Sequence, residues 1–129
     1  MGLLKKQRLI MKALLSVFLS LCVASTCLAQ VYVNGIAIDT VNTPFCQLTC
    51  STAGVLTKAS VVIDYGQRYV DTGLNRQKIA GADQKPITFN SPIDALNFMI
   101  RQGWELVSFK TMGAGADALF IYLLKRKNT

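Results

Sequence analysis

Polar and apolar residues follow helical spacing in one segment near the end of the chain. Ser91 is suited to an N-cap, Pro92 to the first helical position, and Asp94 to a return capping contact in the first turn. Gly103 predicts a left-handed C-terminal stop. The segment is therefore expected to be a helix with one buried face. The predicted apolar face consists of Ile93, Leu96, Met99 and Ile100.

Alternating or β-branched residues predict four strands around this helix. The first two cover residues 45–52 and 58–66, and the last two cover residues 104–110 and 118–124. The continuous run Val61-Val62-Ile63 indicates a strand with a central position in the sheet. We therefore expect an α+β fold in the order β-β-α-β-β, with an antiparallel sheet of about four strands and one helix packed on one face.

The other segments are polar or broken by turn residues. Asn34-Gly35 interrupts the alternation after Val31 and predicts a hairpin turn, so residues 30–44 form either a flexible lead or a short hairpin. Residues 66–90 are the long loop of the domain, with a short hairpin expected around residues 81–85. Residues 45–127 are predicted to form a single α+β domain.

The N-terminal residues 1–29 have the organisation of a secretory signal peptide. Basic residues precede an apolar run from Ala13 to Ala24, and small or polar residues lead to Ala29, after which cleavage is expected. An uncleaved anchor is disfavoured because the run is shorter than the roughly 20 residues that span a bilayer. A lipid-modified Cys22 or Cys27 lacks the preceding small residue. The sequence predicts an exported protein, periplasmic or extracellular, that meets the membrane only through this segment.

The charge balance changes once the signal is set aside. The chain has a formal net charge of +7, and four basic residues lie in the signal, which leaves +3. The remaining basic residues are dispersed except at residues 125–127, which we interpret as the solvated end of the last strand. The sequence therefore predicts no nucleic-acid partner. It does not determine the oligomeric state.

Cys46 and Cys50 are the two cysteines that follow the predicted signal. An exported protein with one pair favours a disulfide. However, residues four apart in a strand are separated by roughly 13 Å, whereas a disulfide needs Cα atoms within about 7 Å. Two buried thiols are therefore favoured over a bridge. A metal site is a more distant alternative, because no histidine or second cysteine pair completes it.

Few residues suggest catalysis. The chain contains no histidine, which removes the usual general base near neutral pH and the commonest zinc ligand. Asp71-Thr72-Gly73 matches an aspartic-protease motif, but a plain turn in the polar loop is favoured. Asp64 and Glu105 would form a carboxylate pair only if their strands were neighbours. We predict no catalytic, cofactor-binding or metal-binding residues and no cofactor.

Other candidate positions have structural interpretations. Gly113-Ala-Gly-Ala-Asp117 is similar to a phosphate-binding loop, yet it precedes a strand and is interpreted as a hairpin turn. Trp104 follows the helix stop and is expected to pack beneath the helix rather than to form a ligand platform. Tyr32, Tyr65 and Tyr69 are further aromatic candidates for a surface site.

The residues around Gly103-Trp104-Glu105-Leu106-Val107 and the final strand ending in Lys125-Arg126-Lys127 resemble a small bacterial domain of unknown function found in uncharacterised exported proteins. The resemblance covers roughly residues 45–127. It supports the fold and carries no activity or site residue.

Two functional hypotheses follow from the sequence. The first is a non-enzymatic binding or interaction module of the cell envelope, with a protein or envelope partner bound through the sheet or the long loop. The alternative is a small hydrolase or ligand-binding protein that uses carboxylates of the sheet or of the 66–90 loop, namely Asp64, Asp71 and Glu105.

Overall fold

The structure is a computed structural model that describes residues 2–21, 29–52, 58–68 and 77–127. Helix α1, Gly2–Leu21, covers the start of the predicted signal, and its side chains are exposed from Gly2 to Val17. Among the described residues, no helix combines the length and the apolar character needed to cross a membrane.

The main sheet has four antiparallel strands and carries helix α2, Pro92–Arg101. Its spatial order is β4-β3-β7-β6, with β7 and β3 in the centre and β4 and β6 at the two edges. Together with the chain order, this arrangement confirms the predicted α+β fold. The strands are β3, Phe45–Ser51; β4, Ser60–Asp64; β6, Trp104–Met112; and β7, Leu119–Arg126.

Helix α2 begins and ends as the sequence predicts. The Ser91 Oγ accepts a hydrogen bond from the Asp94 N–H at 3.1 Å, and the Asp94 carboxylate accepts one from the Asn90 N–H at 3.0 Å. Gly103 follows the helix with a φ of +87°, a left-handed conformation that favours glycine. The ends of the helix are thus fixed by local contacts.

The predicted apolar face of α2 is only partly correct. Leu96 and Met99 are buried, but Ile93 and Ile100 are 56% and 47% exposed. The helix turns the stripe of residues 92, 95, 96 and 99 toward the sheet, and Phe98 is buried beside it. Ile93 and Ile100, seven residues apart, lie on the flank of that stripe, because residues at this spacing share one line along a helix.

A second, three-stranded sheet is formed by β1, Tyr32–Val33, β2, Ile36–Ala37, and β5, Ile79–Ala80. The turn between β1 and β2 has positive φ at both Asn34 and Gly35, as the dipeptide predicts. Strand β1 lies between β2 and β5, so this sheet joins the N-terminal hairpin to the long loop. The pairing with β5 has no local signal in the sequence.

One hydrophobic core lies beneath both sheets. It includes Val31, Val33 and Ile38 from the N-terminal segment together with residues of the main sheet and of α2. The largest fully buried side chain is Trp104, with 2% exposure, so the prediction that it packs in the core is confirmed.

Strand β4 is an edge strand, and the predicted central position is wrong. Among the strands that the structure describes, only β3 pairs with it along its length. Val61 and Ile63 face the core, whereas Val62 lies half-buried on the opposite face. The run is nevertheless rich in β-branched residues because the outer edge of β4 is covered by loop side chains, as described below.

Strands β6 and β7 form the hairpin that the sequence predicts. A single 3₁₀ turn, Gly115–Asp117, connects them. A Cβ atom at Gly113 would lie 2.9 Å from the Asp117 carbonyl oxygen, and the φ of Gly113 is +80°. The glycine-rich segment therefore closes a hairpin, in agreement with the structural interpretation of its sequence.

Candidate binding site

The outer edge of β4 borders a groove of about 350 Å³, which we call the β4 groove. Residues 58–61 form one wall, and residues 77–79 and 86–89 form the other. Most of the lining therefore comes from the long loop and β5. The loop segment touches β4 at two points, and the groove lies between them.

The first point of contact is the side-chain amide of Gln77. Its Oε1 accepts a hydrogen bond from the Ile63 N–H at 2.8 Å, and its Nε2 donates one to the Ile63 carbonyl oxygen at 2.9 Å. Gln77 is buried, so both polar ends of the amide are used away from solvent. The amide thus occupies the position that a neighbouring strand would take.

The second point of contact is a single β-bridge between Ala59 and Phe89. The Ala59 N–H donates to the Phe89 carbonyl oxygen at 3.0 Å. Backbone groups of alternate residues in a strand point to the same side. The N–H and C=O of Val61 therefore point in the same direction as those of Ala59 and Ile63, which is into the groove.

The walls of the β4 groove are apolar, and its rim is basic. The buried Ile79 and Phe89 and the half-buried Ile87 form its apolar lining, and Ile87 donates its N–H to the Ile79 carbonyl oxygen at 2.8 Å. Lys58 Nζ donates to Thr88 Oγ1 at 3.1 Å, from one wall of the groove to the other. Such a groove matches an extended segment with apolar and negatively charged groups.

Lys78, the second basic residue of the rim, is positioned by the N-terminal hairpin. The Lys78 N–H donates to Asn34 Oδ1 at 2.8 Å, and the Asn34 N–H donates to the Lys78 carbonyl oxygen at 2.8 Å. The same turn residue that connects β1 and β2 therefore fixes the backbone at the groove. The Lys78 side chain is exposed, so its charge is screened by solvent and salt.

A second hollow, of about 410 Å³, lies on the face of the main sheet that α2 does not cover. It is lined by side chains of β3 and β4 with Leu119 at one side. Among the residues that the structure describes there, Asp64 is the one carboxylate, and it accepts a hydrogen bond from the Gly66 N–H at 2.9 Å. This hydrogen bond caps a turn at the end of β4.

The two candidate carboxylates that the structure describes, Asp64 and Glu105, are not brought together. Asp64 lies on β4 and Glu105 on β6, at opposite edges of the sheet. Three strand spacings separate them, which is about 14 Å. Glu105 is exposed and lies 3.8 Å from Lys125 Nζ, in agreement with the expectation that it faces water. Asp71, with its Asp-Thr-Gly motif, lies outside the described residues.

Cys46 and Cys50 are free and buried on β3, as the strand geometry predicts. Burial raises the pKa of both thiols to about 12. A thiolate is the reactive form of cysteine. Both side chains are therefore neutral packing groups at physiological pH rather than nucleophiles. Within the described residues, no group of three acidic, cysteine or histidine side chains is placed to hold a metal ion.

The basic end of β7 differs from its predicted role, because Arg126 is not a solvated residue. Its guanidinium donates to the carbonyl oxygens of Asp39 at 2.8 Å and Ile38 at 2.9 Å. It also lies 5.3 Å from the centre of the Trp104 ring. Arg126 thus joins the N-terminal segment to the main sheet, whereas Lys125 and Lys127 are exposed as expected.

The tyrosine candidates have structural roles in the described residues. Tyr32 donates its hydroxyl to Gln30 Oε1 at 3.0 Å, and Tyr65 packs against the core. Tyr69 lies outside the described residues. No cluster of aromatic rings forms at the β4 groove among the residues that the structure describes there.

Gln77 and Arg126 are the residues that sequence reasoning missed. A glutamine in a polar loop has no local pattern that marks it as buried. The signal for Arg126 was equally weak, because an arginine beside two lysines at a strand end is usually solvated. Only tertiary contacts distinguish these residues from their neighbours.

The chain matches no known family model, no curated protein and no solved structure. The resemblance based on the Gly-Trp-Glu-Leu-Val strand therefore stays an expectation.

Proposed function

We propose that the protein is an exported, non-enzymatic binding module of the bacterial cell envelope. Its site is the β4 groove, and its partner is an extended protein segment with apolar and acidic side chains. The observation that carries the proposal is a groove whose β4 wall offers the backbone of Val61 and whose rim carries two lysines.

The backbone supports this choice of ligand. Gln77 and the Ala59–Phe89 bridge occupy the edge of β4 on either side of Val61. A short extended segment in the groove would pair with Val61 in the manner of an added strand. The two contacts limit the length of the paired segment, so only one or two residues of the ligand would reach the backbone of β4.

The side chains determine the chemistry of the ligand. The half-buried Ile87 favours an apolar side chain against the wall, whereas Ile79 and Phe89 are already buried and back that wall. Lys58 and Lys78 favour a carboxylate at the rim, either from an acidic side chain or from the end of a chain. Because both ammonium groups are exposed at the rim, the electrostatic contribution should weaken with salt.

Export is the second part of the proposal. It is supported by the order of basic and apolar residues before Ala29. Partners would then be envelope or extracellular proteins. N-terminal sequencing of the protein recovered from a periplasmic or culture fraction tests this part, and the expected first residue is Gln30.

A library of short fluorescent peptides tests the site. Its members should vary in acidic content and carry either free or amidated C-termini. We expect binding of acidic, apolar peptides that weakens with salt and is lost in the variant Lys58→Glu/Lys78→Glu. Lys125→Glu/Lys127→Glu is the matched control, since it also reverses two charges and both lysines are exposed and lie outside the groove.

Two results would contradict the proposed site. One is a library in which no peptide binds. The other is binding that the groove variant and the control variant reduce equally. Chemical-shift changes centred on Val61, Ile79 and Ile87 would locate the ligand directly.

A further inference from the structure

Strand β6 is a long, exposed edge of the main sheet. It has nine residues, and every residue after Trp104 is exposed. Exposed apolar side chains on this strand include Leu106 at 40%, Phe109 at 53% and Met112 at 52%. Natural edge strands are usually short, charged or covered, because an open edge is a template for pairing with another strand.

A β-bulge at Val107 changes which residues of β6 share a face. The register shifts between Leu106 and Ser108, so Val107 is the extra residue. In a regular strand, residues three or five positions apart point to opposite faces. Across the bulge, residues three or five positions apart instead point to the same face.

The pairing with β7 shows the result. Leu106 lies opposite Leu124, and Phe109 lies opposite Tyr122, so both are on the face toward α2. Phe109 stacks on Tyr122 with ring centres 5.1 Å apart.

Glu105 and Lys110 share the other face of the sheet. They lie opposite Lys125 and Ile121, respectively, which both belong to the face that α2 leaves open. The bulge therefore places the apolar pair, Leu106 and Phe109, on one face of β6 and the charged pair on the other.

We propose that β6 pairs antiparallel with β6 of a second copy of the chain. In one register, Leu106 faces Phe109 of the second copy, and Glu105 faces its Lys110. The two-fold axis repeats both contacts, so the edge carries complementary charges and matching apolar groups on a single strand. The two four-stranded sheets would join into one continuous sheet.

Charge complementarity is the reason to assign a second copy rather than an unrelated segment. Without the bulge, Glu105 of one copy and Lys110 of the second copy would lie on opposite faces of the joined sheet in this register. With the bulge, Glu105 shares a face with Lys110 of the second copy, and Leu106 shares one with its Phe109. Strand β6 is thus complementary to a second copy of itself. Pairing with an unrelated strand would not require this placement of charged and apolar residues.

The dimer leaves the β4 groove free, because β4 and β6 are opposite edges of the sheet. The inference therefore goes beyond the proposed function and does not depend on it. A dimer would present two grooves, one at each end of the continuous sheet.

Sedimentation equilibrium of the purified full chain, with two charge variants, tests the pairing. We expect wild type to dimerise, and Glu105→Lys alone and Lys110→Glu alone each to raise the dimer dissociation constant about tenfold or more, because each creates two like-charge pairs. An equimolar mixture of the two variants should regain dimerisation, since both facing pairs become opposite in charge again.

The matched control is Lys127→Glu, which changes the net charge as Lys110→Glu does but lies outside β6. Equal thermal unfolding of the dilute proteins establishes that the variants fold. A monomeric wild type, variants that dimerise as wild type does, or a mixture that stays monomeric would each overturn the proposal. The proposal would also be overturned if an unrelated β-strand peptide abolished dimerisation while the charge variants had no effect on it.

Discussion

The two edges of the main sheet, β4 and β6, differ in whether other parts of the chain pair with their outward backbone groups. At β4, the amides of Gln77 and Gln67 hydrogen-bond to the outward backbone near Ile63, and Phe89 pairs with Ala59. At β6, every side chain after Trp104 is exposed, and no described segment pairs with the outer side. Strand β4 is therefore the closed edge, with only Val61 left between the two contacts, and β6 is the open edge.

The difference shows that strand composition alone does not give strand position. Strand β4 is the more β-branched sequence, yet it lies at an edge where loop side chains replace a neighbouring strand. Strand β7, by contrast, lies in the centre, paired on both sides. The closed edge shapes the β4 groove, and the open edge provides the surface for self-pairing.

The largest expected effect concerns the core that both edges share. The thiols of Cys46 and Cys50 ionise near pH 9.0 when unfolded and near pH 12 when folded, since burial raises their pKa. Above pH 9 the unfolded chain loses protons that the folded chain retains, so stability falls as pH rises and is unaffected by these groups below pH 8. At pH 10 the two thiols should lower the free energy of unfolding by roughly 3 kcal/mol.

Denaturant titration as a function of pH measures this effect. The variant Cys46→Ala/Cys50→Ala serves as the comparison, because it removes both thiols while keeping the strand. Its free energy of unfolding should decline less steeply between pH 8 and pH 10. Equal slopes for the two proteins would show that the thiols are not buried in the folded state. Both edges should unfold together, because they share one core.

A smaller effect is expected from opening the closed edge. Gln77→Ala leaves the buried N–H of Ile63 without its partner, which costs about 1–3 kcal/mol of unfolding free energy. Gln47→Ala is the matched control, because Gln47 is exposed and makes only a 3.3 Å contact with Thr49. Urea denaturation of the two variants measures the difference. Equal loss of stability in both would contradict the role of the Gln77 amide.

The smallest effect is expected at the open edge. Val107→Lys adds a charge to a residue that is 47% exposed, so the dilute monomer should change in stability by less than about 0.5 kcal/mol. Dimerisation should weaken, because the added charge lies beside the two-fold axis. Thermal unfolding at low concentration and sedimentation at high concentration separate the two effects. A large loss of monomer stability would show that β6 is not a free edge.

Much of the fold follows from local signals. Ser91, Pro92 and Gly103 define the limits of α2, and Asn34-Gly35 defines the first hairpin, because capping and turn geometries depend on a few neighbouring residues. The β-β-α-β-β order is confirmed for the same reason. The buried face of α2 was only partly predicted, since its rotation depends on how Phe98 and Ala95 fit the sheet.

The candidate site was much less accessible to prediction. The loop from residue 66 to residue 90 could be identified as long and polar, but nothing in it marks Gln77 as a substitute for a strand. The bulge at Val107 is similarly invisible, because it depends on the register with β7. Contacts between residues distant in sequence decide both surfaces, and a single sequence contains no direct record of them.

Hydrogen exchange at low and high protein concentration tests the contrast between the edges most directly. We expect the Ala59 and Ile63 amides at β4 to be protected at both concentrations, since their partners belong to the same chain. Outward-facing amides of β6 should exchange rapidly in the dilute protein and become protected in the concentrated one. Protection of β6 that is independent of concentration, or rapid exchange at Ile63, would contradict this difference between the two edges.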